Sequence, residues 1–175
     1  MKTSLTYGFI MALGTSLVSL GFFFGGFHET PKGLQTANNL SMLLNSAIAI
    51  VCIVLAMREK RALFPADQEW GYGSALGMAM LVSLWGTLFS CVYSYAYFTF
   101  IDPGIFDIMY QAQVLKMEEA GMSAADIAQA EPMMRKWMNP VVTTIVSFFV
   151  LLFFNAVFSF IAAIFVKNRP AAPAA

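Results

Sequence analysis

Apolar and polar positions fall in long blocks along this chain. Four runs carry no Asp, Glu, Lys, Arg or His: Thr3–Phe27, Gly33–Met57, Trp70–Ile101 and Trp137–Val166. They hold 25, 25, 32 and 30 residues, and about 20 apolar residues in a helix cross the hydrocarbon core of a bilayer. Each run therefore predicts a transmembrane helix, with spans at about 5–27, 39–57, 73–100 and 140–166. The short exit from span one is His28-Glu29-Thr30-Pro31-Lys32-Gly33.

The charged island Asp102–Lys136 lies between spans three and four, and its punctuation predicts a helical hairpin. Asp102-Pro103 reads as an N-cap residue ahead of a proline at the first helical position. Gly121 is a natural C-terminal stop, and Ser123-Ala124-Ala125-Asp126 resembles a capping box that starts a second helix. Asn139-Pro140 repeats the cap-plus-proline device at the start of span four. Pro132 removes a hydrogen bond to Ala128 and is expected to kink or split the second hairpin helix. Apolar stripes run along both helices at helical spacing, Ile105, Ile108, Met109, Ala112 and Leu115 on the first and Ile127, Met134, Trp137 and Met138 on the second.

The expected fold is all-α. It is a polytopic membrane bundle of four transmembrane helices in a single domain over 1–169, with an amphipathic hairpin at 103–138. The residues 170–175 form a low-complexity tail expected to be disordered. Composition agrees: 59% of residues are hydrophobic, 11% are charged and mean hydropathy is +0.69, against about 25% charged in soluble domains. The first run follows Lys2 but exceeds the ~7–15 residues of a signal-peptide apolar core, so it reads as a retained span.

Charge adds orientation. Lys2, Arg58, Lys60, Arg61, Lys167 and Arg169 gather at one end with Glu59, Asp67 and Glu69, for a net +3, while the other end carries a net −3. Cytoplasmic loops concentrate Lys and Arg, so both termini are expected in the cytoplasm and the hairpin outside. The whole chain has a net charge of zero, which favours no nucleic-acid partner. Cys52 and Cys91 sit on opposite sides of the mid-membrane plane, about 13 Å apart in depth at ~1.5 Å per residue. A disulfide needs Cα atoms within about 7 Å, so both are expected as free thiols.

Catalytic chemistry finds no foothold. The spans hold no ionisable group of the kind that marks ion-coupled transport. Asn45 and Asn155 are the strongest polar groups at depth, expected to hydrogen-bond between helices. Gly21-x-x-x-Gly25 and Gly73-x-x-x-Gly77 are small-residue motifs expected to pack helices within the bundle. Tyr93 and Tyr97 read as part of an interfacial aromatic belt, and His28, the sole histidine, as a solvated residue at a helix end. No enzyme, cofactor or metal is expected.

The segments Tyr97-Phe98-Thr99-Phe100-Ile101-Asp102-Pro103, Glu119-Ala120-Gly121-Met122-Ser123 and Met133-Met134-Arg135-Lys136-Trp137-Met138-Asn139-Pro140 carry a resemblance. With the closing Ser159–Lys167, the chain resembles an uncharacterised family of small bacterial four-helix membrane proteins, the domain of unknown function DUF4199. The resemblance covers about half the chain closely and the rest loosely. It implies four spans and a bacterial inner membrane, and it supplies no activity or ligand. The expected role is an accessory subunit that docks another membrane protein, or a second copy of itself. The docking face is placed on Ile105, Met109, Ile127, Met134, Trp137 and Met138. The alternative is an oligomeric small-molecule or lipid transporter lined by Asn45, Asn155 and the Tyr93/Tyr97 face.

Overall fold

The computed structural model describes residues 1–65 and 69–167. Asp67, Arg169 and the tail 170–175 lie outside the described residues. Six α-helices follow one another: α1 (Lys2–Phe24), α2 (Pro31–Ala62), α3 (Tyr72–Ala96), α4 (Ile105–Glu119), α5 (Ala124–Trp137) and α6 (Pro140–Val166). A π-helical turn, Tyr97–Ile101, prolongs α3. No strand occurs among the described residues. α1, α2, α3 with its π turn, and α6 are each long and apolar enough to cross a membrane, while α4 and α5 form the hairpin between the third and fourth spans.

Caps set the helix starts. The Thr30 hydroxyl accepts the Gly33 N–H at 3.1 Å with Pro31 in the first turn, so α2 begins at Pro31, well ahead of the span expected from about Asn39. The polar stretch after Pro31 is thus helical, and it buries Leu34 and Ala37. Asn139 likewise accepts the Val142 N–H at 3.0 Å to start α6. In the hairpin, Ser123 accepts the Asp126 N–H at 3.3 Å. Gly121, at φ +80°, ends α4 with paired bonds from Met122 N–H to Met117 O and Gly121 N–H to Glu118 O. α5 runs unbroken through Pro132, so the proline does not split it: Ala128 O simply goes without that donor, and the flanking turns carry the helix on.

α3 is the hub of the bundle, packed against α1, α2 and α6. Its buried positions are Ala75, Met78, Ala79, Val82, Ser83, Gly86 and Thr87. Small residues dominate because lipid exerts no hydrophobic drive on helix association, leaving close backbone approach and hydrogen bonds to hold spans together. At the α1–α3 crossing, a Cβ on Gly8 would stand 2.6 Å from Trp85 Cβ and 2.9 Å from the Gly86 nitrogen. A Cβ on Gly86 would run into the end of Met11.

Between α3 and α6, beside an apolar cluster of Met78, Val82, Ala163 and Val166, the contact includes a polar stretch. Ser83 and Ser159 hydroxyls lie 2.9 Å apart, Asn155 Nδ2 donates to Thr87 Oγ1 at 3.3 Å, and Ser159 donates to the Asn155 carbonyl at 2.7 Å.

The glycine motifs singled out in the sequence lie outside the helix contacts. Nothing lies within 4 Å of a Cβ built on Gly21, Gly73 or Gly77, and one on Gly25 meets only its own chain turn. These glycines do not pack the bundle; the close crossing is made by Gly8 and Gly86, which no regular spacing announces. Cys52 and Cys91 are both free.

Gly8→Ala is expected to lower stability by about 1–3 kcal/mol through overpacking against Trp85. Gly73→Ala, facing open space, is expected to change it by less than about 1 kcal/mol or to stabilise the helix. Unfolding titrations in mixed micelles compare the two; equal effects would contradict the crossing.

Candidate functional site at the hairpin end of the bundle

Two chain reversals meet at the end of the bundle that carries the hairpin. At the first, α1 closes through Gly26 at φ +74°, with Phe27 N–H bonding Phe22 O at 3.1 Å and Gly26 N–H bonding Phe23 O at 3.0 Å. The rings of Phe22 and Phe27 meet edge-on at 5.3 Å, the apolar contact that accompanies this helix-ending turn. With Thr30 and Pro31 starting α2 just beyond, His28 is fixed between two tightly terminated helices.

At the second reversal the π turn closes with Asp102 N–H on Tyr97 O at 2.9 Å. Pro103 disfavours helical geometry at the residue before it, and Asp102 adopts φ −135°, ψ +65°. The chain leaves the helix there, and the Asp102 side chain turns back toward His28. π turns recur at functional positions because they re-aim side chains.

The result is a three-residue cluster. Asp102 Oδ2 lies 2.8 Å from His28 Nδ1 and accepts the Tyr97 hydroxyl at 3.1 Å, while the Tyr97 oxygen lies 3.0 Å from the same Nδ1. With the Tyr97 O–H committed to the carboxylate, the 2.8 Å contact assigns the proton of the His28–Asp102 bond to Nδ1. The His28 and Asp102 side chains are each 11% exposed and Tyr97 is 2% exposed. Phe23 stands edge-on to both rings, Tyr93 tilts against Tyr97 at 5.7 Å, and Leu34 and Ile105 complete the apolar surround. Tyr93 donates to the Ser16 carbonyl of α1 at 3.2 Å.

Three expectations change here. His28 is not a solvated helix-end residue, because Asp102 and Tyr97 hold its ring. Tyr97 does not belong to an interfacial belt; it is among the largest fully buried side chains. Asp102 does not cap α4, which starts at Ile105 behind Gly104 without a side-chain cap, because its carboxylate is spent on His28 and Tyr97.

The cluster is a clasp. It ties the α1–α2 link to the junction of α3 and α4, and so roots the hairpin on the bundle. Among the described residues, no three His, Cys, Asp or Glu side chains converge as metal ligands would.

Beyond the clasp the hairpin is knotted by Arg135. Its Nε donates to Glu131 at 2.8 Å, its Nη1 lies 3.5 Å from Asp107 of α4, and its guanidinium lies 4.4 Å over the Tyr110 ring. The hydrogen bond from Arg135 holds the Glu131 carboxyl below its ordinary value, and the same bond raises Arg135.

The six residues assigned to a docking face separate into two groups. Ile105 and Ile127 are buried, and Met109 packs partly against the Leu34–Tyr97–Ile105 cluster. Met109 also lines, with Met134, Trp137 and Met138, an open groove of about 490 Å³ that continues onto Val142 and Val146 of α6. Met133, at 68% exposed, and Trp137, at 59%, stand outermost along it. Asn155 is committed to Thr87, and Asn45 takes no part in that network; its Oδ1 is buried without a hydrogen-bond partner.

Residues 6–168 match the family described as "Protein of unknown function (DUF4199)". The chain belongs to this family. No curated protein and no solved structure matches it. This DUF4199 protein has four helices long and apolar enough to cross a membrane, with a clasp of His28, Tyr97 and Asp102 at the root of its hairpin.

Asp102→Ala leaves the His28 and Tyr97 polar atoms without their shared acceptor, and is expected to cost about 1–3 kcal/mol. Tyr97→Phe removes one hydroxyl and is expected to cost about 1 kcal/mol. Hydrogen exchange reads both, with lost protection concentrated around residues 26–34 and 97–106. A uniform loss over all helices would mean that the cluster does not root the hairpin. For Arg135, the lowered Glu131 carboxyl means that its bond is fully present above the ordinary carboxylate pKa of about 4.3 and is lost only as pH falls through the lowered folded value. Both groups are exposed, so screening keeps the contribution small. Spin labels at Lys116 and Gln129 are expected to report an unchanged hairpin from pH 7 to 5 and a broadened distance distribution near pH 3.

Proposed function

We propose that this protein is an accessory membrane subunit whose hairpin groove receives an apolar transmembrane helix of a partner membrane protein. The observation that carries the reading is the continuity of the groove. It begins on α5 with Met133, Met134 and Trp137 and runs without a charged side chain onto the lipid-facing wall of α6 at Val142 and Val146. A partner helix that leaves the bilayer would meet apolar surface all along that line. Methionine faces adapt to such partners, since their unbranched thioethers repack at low cost. α5 itself packs chiefly on α4, and Met133 and Trp137 on its outer face stay exposed among the described residues. The clasp supports the same reading, because docking needs a hairpin held at a fixed angle to the bundle.

The supporting reading of orientation keeps both termini in the cytoplasm of a bacterial inner membrane and the hairpin outside. Lys2, Arg58, Lys60, Arg61 and Lys167 all belong to the terminal end, as cytoplasmic loops prefer. A cysteine introduced at Ser123 is then expected to react with a membrane-impermeant thiol reagent in intact cells. Reaction only after lysis would invert the topology.

The docking reading is tested by placing a photoreactive phenylalanine analogue at Met133 and, as a lipid-facing control, at Phe153, which is 65% exposed. The expected outcome is an adduct from Met133 that maps to an apolar span of one partner and is absent from Phe153. Adducts to lipid alone, or equal protein adducts at both positions, would overturn it. An adduct to the same groove of a second copy would replace the partner with a homo-oligomer.

A further inference from the structure

At the terminal end of the bundle α2 and α6 leave a second groove, of about 480 Å³. Ile50, Val54, Arg58 and Arg61 of α2 line one wall, at spacings of four, four and three residues that keep them on one helix face. Phe158, Ile161 and Phe165 line the facing wall on α6. The apolar residues lie toward the membrane interior, and both guanidinium groups stand at the rim. From Ile50 to Arg61 the helix rises about 16 Å at ~1.5 Å per residue, close to half of a ~30 Å hydrocarbon core. The groove is one leaflet deep, with its cations at headgroup level.

The cations are positioned rather than loose. Arg61 Nη1 donates to the Val166 carbonyl at 3.3 Å, which tethers the guanidinium at the end of α6 and leaves its other N–H donors available. Glu59, the acid between the two arginines, accepts from Thr3 of α1 at 3.1 Å. Among the described residues neither Arg58 nor Arg61 enters an ion pair. Guanidinium groups match phosphate oxygens in paired hydrogen bonds.

We propose that this groove binds one anionic glycerophospholipid, its phosphate at Arg58 and Arg61 and an acyl chain along Ile50, Val54, Ile161 and Phe165. Charge complementarity selects the headgroup, and the single-leaflet apolar length selects a lipid over a soluble phosphate. This site is independent of the docking groove, which lies at the opposite end of the molecule.

The test is native mass spectrometry of the delipidated full-length protein titrated with phosphatidylglycerol, phosphatidylcholine or glycerol 3-phosphate. One phosphatidylglycerol is expected to bind per chain at least tenfold more tightly than phosphatidylcholine, and glycerol 3-phosphate is expected not to bind at the same concentrations. Arg58→Gln/Arg61→Gln is expected to weaken phosphatidylglycerol at least tenfold, and Lys32→Gln, at the other end, to leave it unchanged. Arg58→Gln alone spares the Arg61–Val166 bond, and is expected to weaken binding severalfold with unaltered unfolding in lipid-free detergent. Ile161→Trp, at an exposed position on the α6 wall, is expected to weaken acyl-chain binding. Equal retention of the two lipids, full phosphatidylglycerol affinity in the arginine variants, or equally tight binding of glycerol 3-phosphate would overturn the proposal.

Discussion

Everything in this fold depends on how closely other spans can approach α3. In lipid the side chains of a span gain nothing by leaving their surroundings for a neighbouring helix, so association rests on contact distance and on hydrogen bonds. α3 meets that constraint with a buried face of Ala, Ser, Gly and Thr, broken only by Met78 and Val82. Gly86 admits α1 at Gly8, and Ser83 and Thr87 join α6 at Ser159 and Asn155. Large apolar side chains are pushed outward: Phe149, Phe153 and Phe165 of α6 are all strongly exposed to what would be lipid.

The hairpin follows from the same hub. α3 outlasts its α-helical part by a π turn, and that turn together with Pro103 re-aims Asp102 toward the α1–α2 link. A continuing α-helix would not close the Tyr97–Asp102 N–H bond that spans five residues. The carboxylate would then be displaced around the helix axis, away from His28. Burial of an acid beside Tyr97 is tolerated because its hydrogen-bond partners are supplied locally, one by a histidine ring and one by a phenol. The clasp therefore converts a change of helix type into a fixed mount for α4 and α5.

Most of the architecture was legible in the sequence because charge-free runs and cap–proline pairs are local signals. Asn139-Pro140 acts as the expected cap and Thr30-Pro31 as one the sequence reading passed over, whereas Asp102-Pro103 looks the same on paper and does something else. Local chemistry offers Asp102 an N-cap role, but tertiary contact with His28 and Tyr97 outcompetes it. Parity alone held a clue: with four spans, the first and third loops lie at one end. The sole histidine and an aspartate after Tyr97 are thereby brought to the same interface. The true helix crossing at Gly8 and Gly86 left no such trace, since two isolated glycines on different spans have no spacing to recognise. The stronger patterns at Gly21/Gly25 and Gly73/Gly77 turned out to face outward.

The absence of ionisable groups from the mid-membrane stretch now has a structural counterpart in a division between the two ends. The hairpin end ties its buried acid to internal hydrogen-bond partners, and the Met133–Trp137 groove is lined without a charged side chain. The terminal end does the reverse, turning Glu59 toward α1 and leaving Arg58 and Arg61 at a groove rim. A protein binds an apolar helix best where no charge must be desolvated, and an anionic headgroup best where no carboxylate competes. Among the described residues the two proposed grooves meet these conditions at opposite ends, because each end satisfies a different charge internally.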